Sequence, residues 1–131
     1  MQDRLKLFGL VILMLTTVAF MSSCQKNEKI IVGKWKITKA PQDYSNDKGE
    51  IWTFKESGNC SIFYDEEELD GEYSVNKNSL SITCKDGDYR CNFDFDIDVL
   101  NKKEMSLSGT VKESTGYYNY SGKVSYDFEK R

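Results

Sequence analysis

Tyr89-Arg90-Cys91-Asn92-Phe93-Asp94-Phe95-Asp96-Ile97-Asp98-Val99 alternates apolar and polar residues without a break. Side chains on an extended strand point to opposite faces with period two, so one face of this segment is core and the other meets solvent. From Ile30 onward nearly every segment repeats the pattern, and none sustains the 3.6 period of an amphipathic helix. The domain is expected to be all-β.

Register is a stricter test, because slipping one residue turns a whole apolar set outward. Gly87-Asp88 as a two-residue loop sets Cys84 against Cys91, Ile82 against Phe93 and Leu80 against Phe95. Lys77-Asn78 as another sets Val75 against Leu80 and Tyr73 against Ile82. Glu56-Ser57-Gly58, with glycine where a left-handed residue is wanted, aligns Phe54 with Cys60 and Trp52 with Ile62. Asn101-Lys102-Lys103 aligns Val99 with Met105 and Ile97 with Leu107. Four hairpins that agree on one apolar side predict a meander. The predicted strands are 31–38, 50–55, 60–64, 72–76, 79–84, 89–99, 104–111 and 117–128. Eight antiparallel strands with one buried face close most economically into an up-and-down barrel, which removes exposed edges. An open sheet or two-sheet sandwich is the alternative. Lys39 to Gly49, with the sole proline, is expected to cross one end as a loop or lid.

The N-terminus has a different grammar. Arg4 and Lys6 precede an apolar stretch from Leu7 to Met21, and Ser22-Ser23 stands before Cys24. A basic start, an apolar stretch and small residues read as a cleaved export signal. The stretch is short and carries Thr16-Thr17, which disfavours a permanent span of about 20 residues. Met21-Ser22-Ser23-Cys24 resembles the lipobox of bacterial lipoproteins. The resemblance implies a signal peptide over 1–23, acylation of Cys24, and outer-membrane attachment through that lipid, on the periplasmic or the cell-surface face. Residues 24–29 would then be a tether and 30–131 a single domain.

Without residues 1–23, the eighteen basic and twenty-one acidic residues lose Arg4, Lys6 and Asp3, leaving a formal charge of −4. That argues against nucleic acid, whose phosphates require a basic face, and against holding an anionic bilayer by charge. The chain has no histidine, which removes the usual base of Ser-His and Cys-His sites and the commonest zinc ligand. No enzyme activity, metal or cofactor is expected.

Gly33-Lys34-Trp35 on the first strand resembles the Gly-x-Trp signature that opens lipocalins. Trp52-Thr53-Phe54, Ser57-Gly58-Asn59, Gly71-Glu72-Tyr73-Ser74-Val75 and Leu80-Ser81-Ile82 are similar to the small lipocalin-like domains of bacterial lipoproteins. The resemblance implies a lipocalin-like barrel whose interior holds a small apolar ligand. Candidate lining residues are Trp35, Trp52, Phe54, Tyr73, Phe93, Phe95 and Tyr120, with Tyr118 and Tyr126 also offered inward. The competing expectation is a core filled by these side chains, since eight strands enclose little more than side-chain volume. The two functional readings follow: an envelope lipoprotein that binds an apolar ligand or an envelope partner, or an interaction or structural module with a filled core.

Three smaller questions remain open at this stage. Cys84 and Cys91 share a face and a register position, so they either form a disulfide or stay, with Cys60, as buried thiols. Asp65-Glu66-Glu67-Glu68 with Asp70, and the Asp94, Asp96 and Asp98 row, read as solvated acidic faces rather than calcium sites, the row being neutralised by lysines on adjacent strands. Tyr44, Tyr117, Tyr118 and Tyr120 either cover the sheet or stack on a sugar or a partner protein.

Overall fold

The computed structural model describes residues 27–131. Strands β1 (Gly33–Lys39), β2 (Ile51–Phe54), β3 (Asn59–Tyr64), β4 (Glu67–Asn76), β5 (Ser79–Asp86), β6 (Tyr89–Leu100), β7 (Glu104–Ser114) and β8 (Asn119–Lys130) pair with their neighbours in chain order. β8 returns to β1, closing an antiparallel barrel. Closure has the physical advantage expected of it, since no strand is left with unpaired backbone groups along an edge.

The registers set by the hairpins hold across most of the sheet. Leu80 faces Phe95, Ile82 faces Phe93 and Cys84 faces Cys91. Val75 faces Leu80 and Tyr73 faces Ile82, while Phe54 faces Cys60. One pairing is corrected. Ile97 does face Leu107, but the register then shifts, so Val99 faces Ser106 and Leu100 faces Met105. Asp98 is left unpaired as a bulge, and the turn that follows is held by the side chain of Asn101, which accepts the N–H groups of Lys103 and Glu104, each at 2.9 Å. Val99 is thereby turned outward and is 40% exposed.

The largest departure is β4, which begins at Glu67 rather than at residue 72. Acidic residues are poor strand formers, yet Leu69 points inward opposite Ile62 and anchors the run. The turn before it, Asp65-Glu66, has positive φ at both residues, 51° and 66°. That conformation is costly for residues with a Cβ, and Asp47 stabilises it by accepting both amide N–H groups, at 2.9 and 3.0 Å.

The two ends of the barrel are closed differently. At the lower end residues 27–30 form a helical turn, and Ile31 N–H donates to Asn27 O at 3.1 Å. Residues 27–29 are therefore fastened rather than loose, with Asn27 Nδ2 donating to Lys77 O at 2.8 Å. Trp35 Nε1 donates to Ile31 O at 2.8 Å, and the Lys130 ammonium sits 4.4 Å from the Trp35 ring centroid. Lys130 also donates to Ile30 O and Val32 O, at 3.1 and 2.6 Å. Gly33 has a φ of +130°, and a Cβ there would meet Lys130 Nζ at 2.7 Å. The glycine and tryptophan are thus two parts of one plug. At the upper end the Lys39–Gly49 connection folds into a 3-10 segment, Gln42–Asp47, that lies across the mouth.

Gly109 faces Phe95 across the β6–β7 ladder, and a Cβ on it would stand 1.9 Å from Asp94 O. Relief requires the strands to part, so Gly109→Ala should cost about 3 kcal/mol. Gly116→Ala, with nothing within 4 Å, should change stability by less than about 0.5 kcal/mol. Urea unfolding of the two variants checks the contrast.

Candidate functional site

The interior is built around Trp52. Its ring centroid lies 4.9 Å from Tyr126, 5.0 Å from Phe128, 5.9 Å from Phe93, 6.2 Å from Phe95 and 6.5 Å from Phe54. Its Nε1 donates to Phe63 O at 2.8 Å, so the one polar atom of this buried ring is satisfied. Of the seven residues expected to line a pocket, Trp35, Trp52, Phe54, Phe93 and Phe95 are buried against such neighbours. Tyr73 is half-buried, packs edge-on against Phe54 at 5.0 Å and donates to Lys55 O at 2.6 Å. Tyr120 stands at the rim, 40% exposed. Tyr118 also lies outside the interior, because β8 starts only at Asn119. Tyr73 and Tyr120 border shallow outer depressions at the lower and upper ends respectively.

The upper end gathers the polar groups. Tyr44 on the 3-10 segment packs on Tyr64 with centroids 4.8 Å apart, and Tyr64 donates to its hydroxyl at 2.9 Å. Burial pushes both phenols up, Tyr64 further, and Glu113 adds to the effect on each. Glu113 follows Met105, Leu107 and Val111 on the inward face of β7, is only 9% exposed, and accepts a short hydrogen bond from Tyr89. Tyr126 rises from the core toward the same end. Its phenol is pushed up first by burial and then by Asp47, Tyr44, Cys91 and Glu113, and its hydroxyl has no hydrogen-bond partner among the described residues. Asp47 is wholly buried, and burial raises its carboxyl despite the two N–H groups it accepts. Neither Asp47 nor Glu113 is among the candidate residues that the sequence offers. For Glu113 a signal existed: an acid at a position of apolar parity, hidden because the strand was read as ending at residue 111.

The three cysteines form a single row. Cys60 faces Gly71, Gly71 faces Cys84, and Cys84 faces Cys91, so the row crosses β3 to β6. All three are buried free thiols. Cys84 and Cys91 face each other as expected, without forming the candidate disulfide. Their place two residues from a two-residue loop makes them a hydrogen-bonded pair, about 5.5 Å apart at Cα, a spacing that a disulfide can span. Burial pushes the Cys84 thiol up to about 11 and those of Cys60 and Cys91 up to about 12.

On the outer surface the acidic row corrects one expectation. Asp94 faces Ser81 and Thr110, and Asp96 faces Ser79 and Ser108, where lysines had been expected. Among the described residues no group of three or more His, Cys, Asp or Glu is placed to hold a metal ion. No described helix is long and apolar enough to cross a membrane. The turn between β7 and β8 is held by Thr115, whose Oγ1 accepts the N–H groups of Tyr117 and Tyr118, each at 3.2 Å. It presents Tyr117 fully to solvent and Tyr118 at 54% exposure. Cys24 lies outside the described residues, as does the proposed signal segment. Comparison with protein-family models, curated proteins and solved structures finds no match.

The thiols set the sign of an alkaline effect. An unfolded thiol ionises near pH 8.5, whereas the folded ones hold their protons to about 11 or 12. Their stabilisation is complete below pH 8.5 and is lost as the pH rises toward 11, by about 1.4 kcal/mol per pH unit for each thiol. Urea unfolding between pH 8 and 11 should show this slope, reduced in the Cys60→Ala, Cys84→Ala, Cys91→Ala variant. Non-reducing peptide mapping should find all three alkylated after unfolding and no Cys84–Cys91 cross-link.

Proposed function

We propose that this chain is a lipid-anchored, lipocalin-like envelope lipoprotein that works without catalysis, engaging an envelope partner through the upper end of its barrel. The observation that carries the reading is the filled interior, in which Trp52 meets five other aromatic rings. Rings packed against one another fill the space that an apolar ligand would occupy. That favours an interaction module over a carrier of apolar molecules. The turn with Tyr117 and Tyr118, its backbone held by Thr115, is the natural contact. Tyrosine is enriched among the residues that dominate interface energy, and exposed rings supply apolar area to bury.

The geometry suits the proposed anchor. Asn27 is fastened beside the Lys77-Asn78 turn at the lower end, and Cys24 precedes it by three residues, a reach of about 10 Å at most. Acylated there, Cys24 would hold the lower end against the outer membrane and point the tyrosine turn away from it. Multiple acyl chains suffice for stable attachment, at about 0.8 kcal/mol per buried CH₂.

Two measurements test the reading. Intact mass of the membrane-extracted protein should show a chain that starts at Cys24 and carries acyl groups, and Cys24→Ser should abolish membrane retention. A photo-crosslinking residue at position 117 should trap a discrete adduct in intact cells, and one at Lys102 on the lower end should not. Equal trapping at both positions, or none at 117, would contradict the partner surface.

A further inference from the structure

We infer that the lower end of the barrel docks on anionic phospholipid headgroups, whose phosphates meet its exposed lysines and hold the domain upright on the bilayer. The inference rests on the proposed anchor at Cys24, which would bring a bilayer to this end, and goes beyond it by assigning the surface that meets the lipid. A formal charge of −4 disfavours an anionic bilayer for the chain as a whole, but the fold separates the charges along the barrel axis. The β2–β3, β4–β5 and β6–β7 turns lie at the lower end with the two terminal segments. They carry Lys29, Lys55, Lys77, Lys102, Lys103 and Arg131, all exposed, against the acids Glu28 and Glu56. On the adjoining strand ends Glu104, Glu129 and the bulged Asp98 are exposed beside Lys34 and Lys130, so an excess of positive charge remains. The upper connections are the reverse. Asp43, Glu50, Asp65, Glu66 and Asp88 are exposed there, against Lys48.

Hydrogen bonds draw the basic segments into one surface. Lys130 N–H donates to Lys103 O at 2.8 Å and Arg131 N–H to Lys34 O at 2.9 Å, which joins the β6–β7 turn to the ends of β8 and β1. Across the end, Asn27 Nδ2 donates to Lys77 O at 2.8 Å, which ties the segment that follows Cys24 to the β4–β5 turn. Apolar groups stand beside the charges. Val99, 40% exposed, closely precedes the β6–β7 turn, and Ile30 and Leu100 border a depression of about 560 Å³ with Lys102, Lys103 and Glu104. A headgroup layer accommodates this combination, because lysine ammonium groups reach phosphates while their stems and neighbouring apolar side chains enter the interface. Each lysine near an anionic bilayer strengthens binding by about fivefold. The same surface repels the acidic upper end, so the polarity of the barrel also sets its orientation.

The test uses the full chain extracted from membranes and reconstituted on vesicles of phosphatidylcholine, alone or with about one-third phosphatidylglycerol. A polarity-sensitive fluorophore is attached at Ser57→Cys on the lower end or at Gly116→Cys on the upper end, the barrel's own thiols being buried. On phosphatidylglycerol vesicles the emission from position 57 should shift to the blue and be quenched by lipids with a nitroxide headgroup. On pure phosphatidylcholine, or in about 1 M NaCl, where charges are screened within about 3 Å, it should not. Emission from position 116 should be the same throughout. Lys77→Glu with Lys102→Glu and Lys103→Glu should abolish the shift, at about fivefold lost per lysine, while the melting curve shows a folded barrel. Lys48→Glu with Lys85→Glu and Lys112→Glu, an equal change of charge toward the upper end, should preserve it. Retention on phosphatidylcholine vesicles in high salt reports the acyl anchor separately: its loss would count against the anchor, while a position-57 shift on anionic vesicles would still support the docking. No shift at position 57 on anionic vesicles, an equal shift at position 116, or an unchanged shift in the folded Lys77, Lys102 and Lys103 variant would overturn the proposal.

Discussion

The indole of Trp52 at the centre of the barrel is the contact on which the rest of the structure depends. β2 is the shortest strand, four residues long, yet through Trp52 it meets rings from β6 and β8 as well as its own Phe54. A large planar ring between β2, β6 and β8 joins distant parts of the wall through one side chain. Each aromatic pair contributes about 0.5–1.5 kcal/mol beyond the area it buries. Replacing the hub with a small residue would leave a cavity facing five rings, of the kind that costs about 3–5 kcal/mol.

From this centre the two ends diverge in chemistry. Below, Trp35 and Lys130 seal the barrel with a cation over a ring and tie down the N-terminal turn. Above, phenols and two buried carboxylates gather under the 3-10 segment, and one hydroxyl is left without a partner. The lower end is self-satisfied and the upper end is not. Buried polar groups that lack partners mark places where a structure has accepted a cost. That contrast is why the proposed partner contact, the tyrosine turn, is assigned to the upper end.

Strand alternation made the barrel readable from residues alone, because each hairpin turn had a recognisable loop and each apolar set had one parity. The register of β5 with β6 followed directly from Gly87-Asp88 and the alternation through Phe93 and Phe95. The failures have local causes. β4 was read as starting late because a single inward Leu69 among acids is a weak periodic signal, and because Asp65-Glu66 turns through a conformation that asparagine and glycine normally supply. Its support comes from Asp47, eighteen residues earlier, a tertiary contact with no trace in local sequence. Val99 was placed inward because a bulge shifts parity without altering composition. Parity alone places Tyr118 and Tyr120 inward, but β8 starts at Asn119, which leaves Tyr118 in the turn, and Tyr120, the second residue of β8, stands at the rim. Of the expected lining residues, those near mid-barrel are buried among one another, and the upper-end cluster emerged only once Glu113 and Tyr44 were brought together by the fold.

The filled interior is the central claim, and the tryptophans report on it directly, since both are fully buried. A soluble chain beginning at Asn27 can be titrated with a brominated fatty acid, whose bromine atoms quench an indole only on contact. The account predicts no saturable quenching of tryptophan fluorescence. Stoichiometric, saturable quenching would mean that an apolar chain reaches Trp52, and would contradict it.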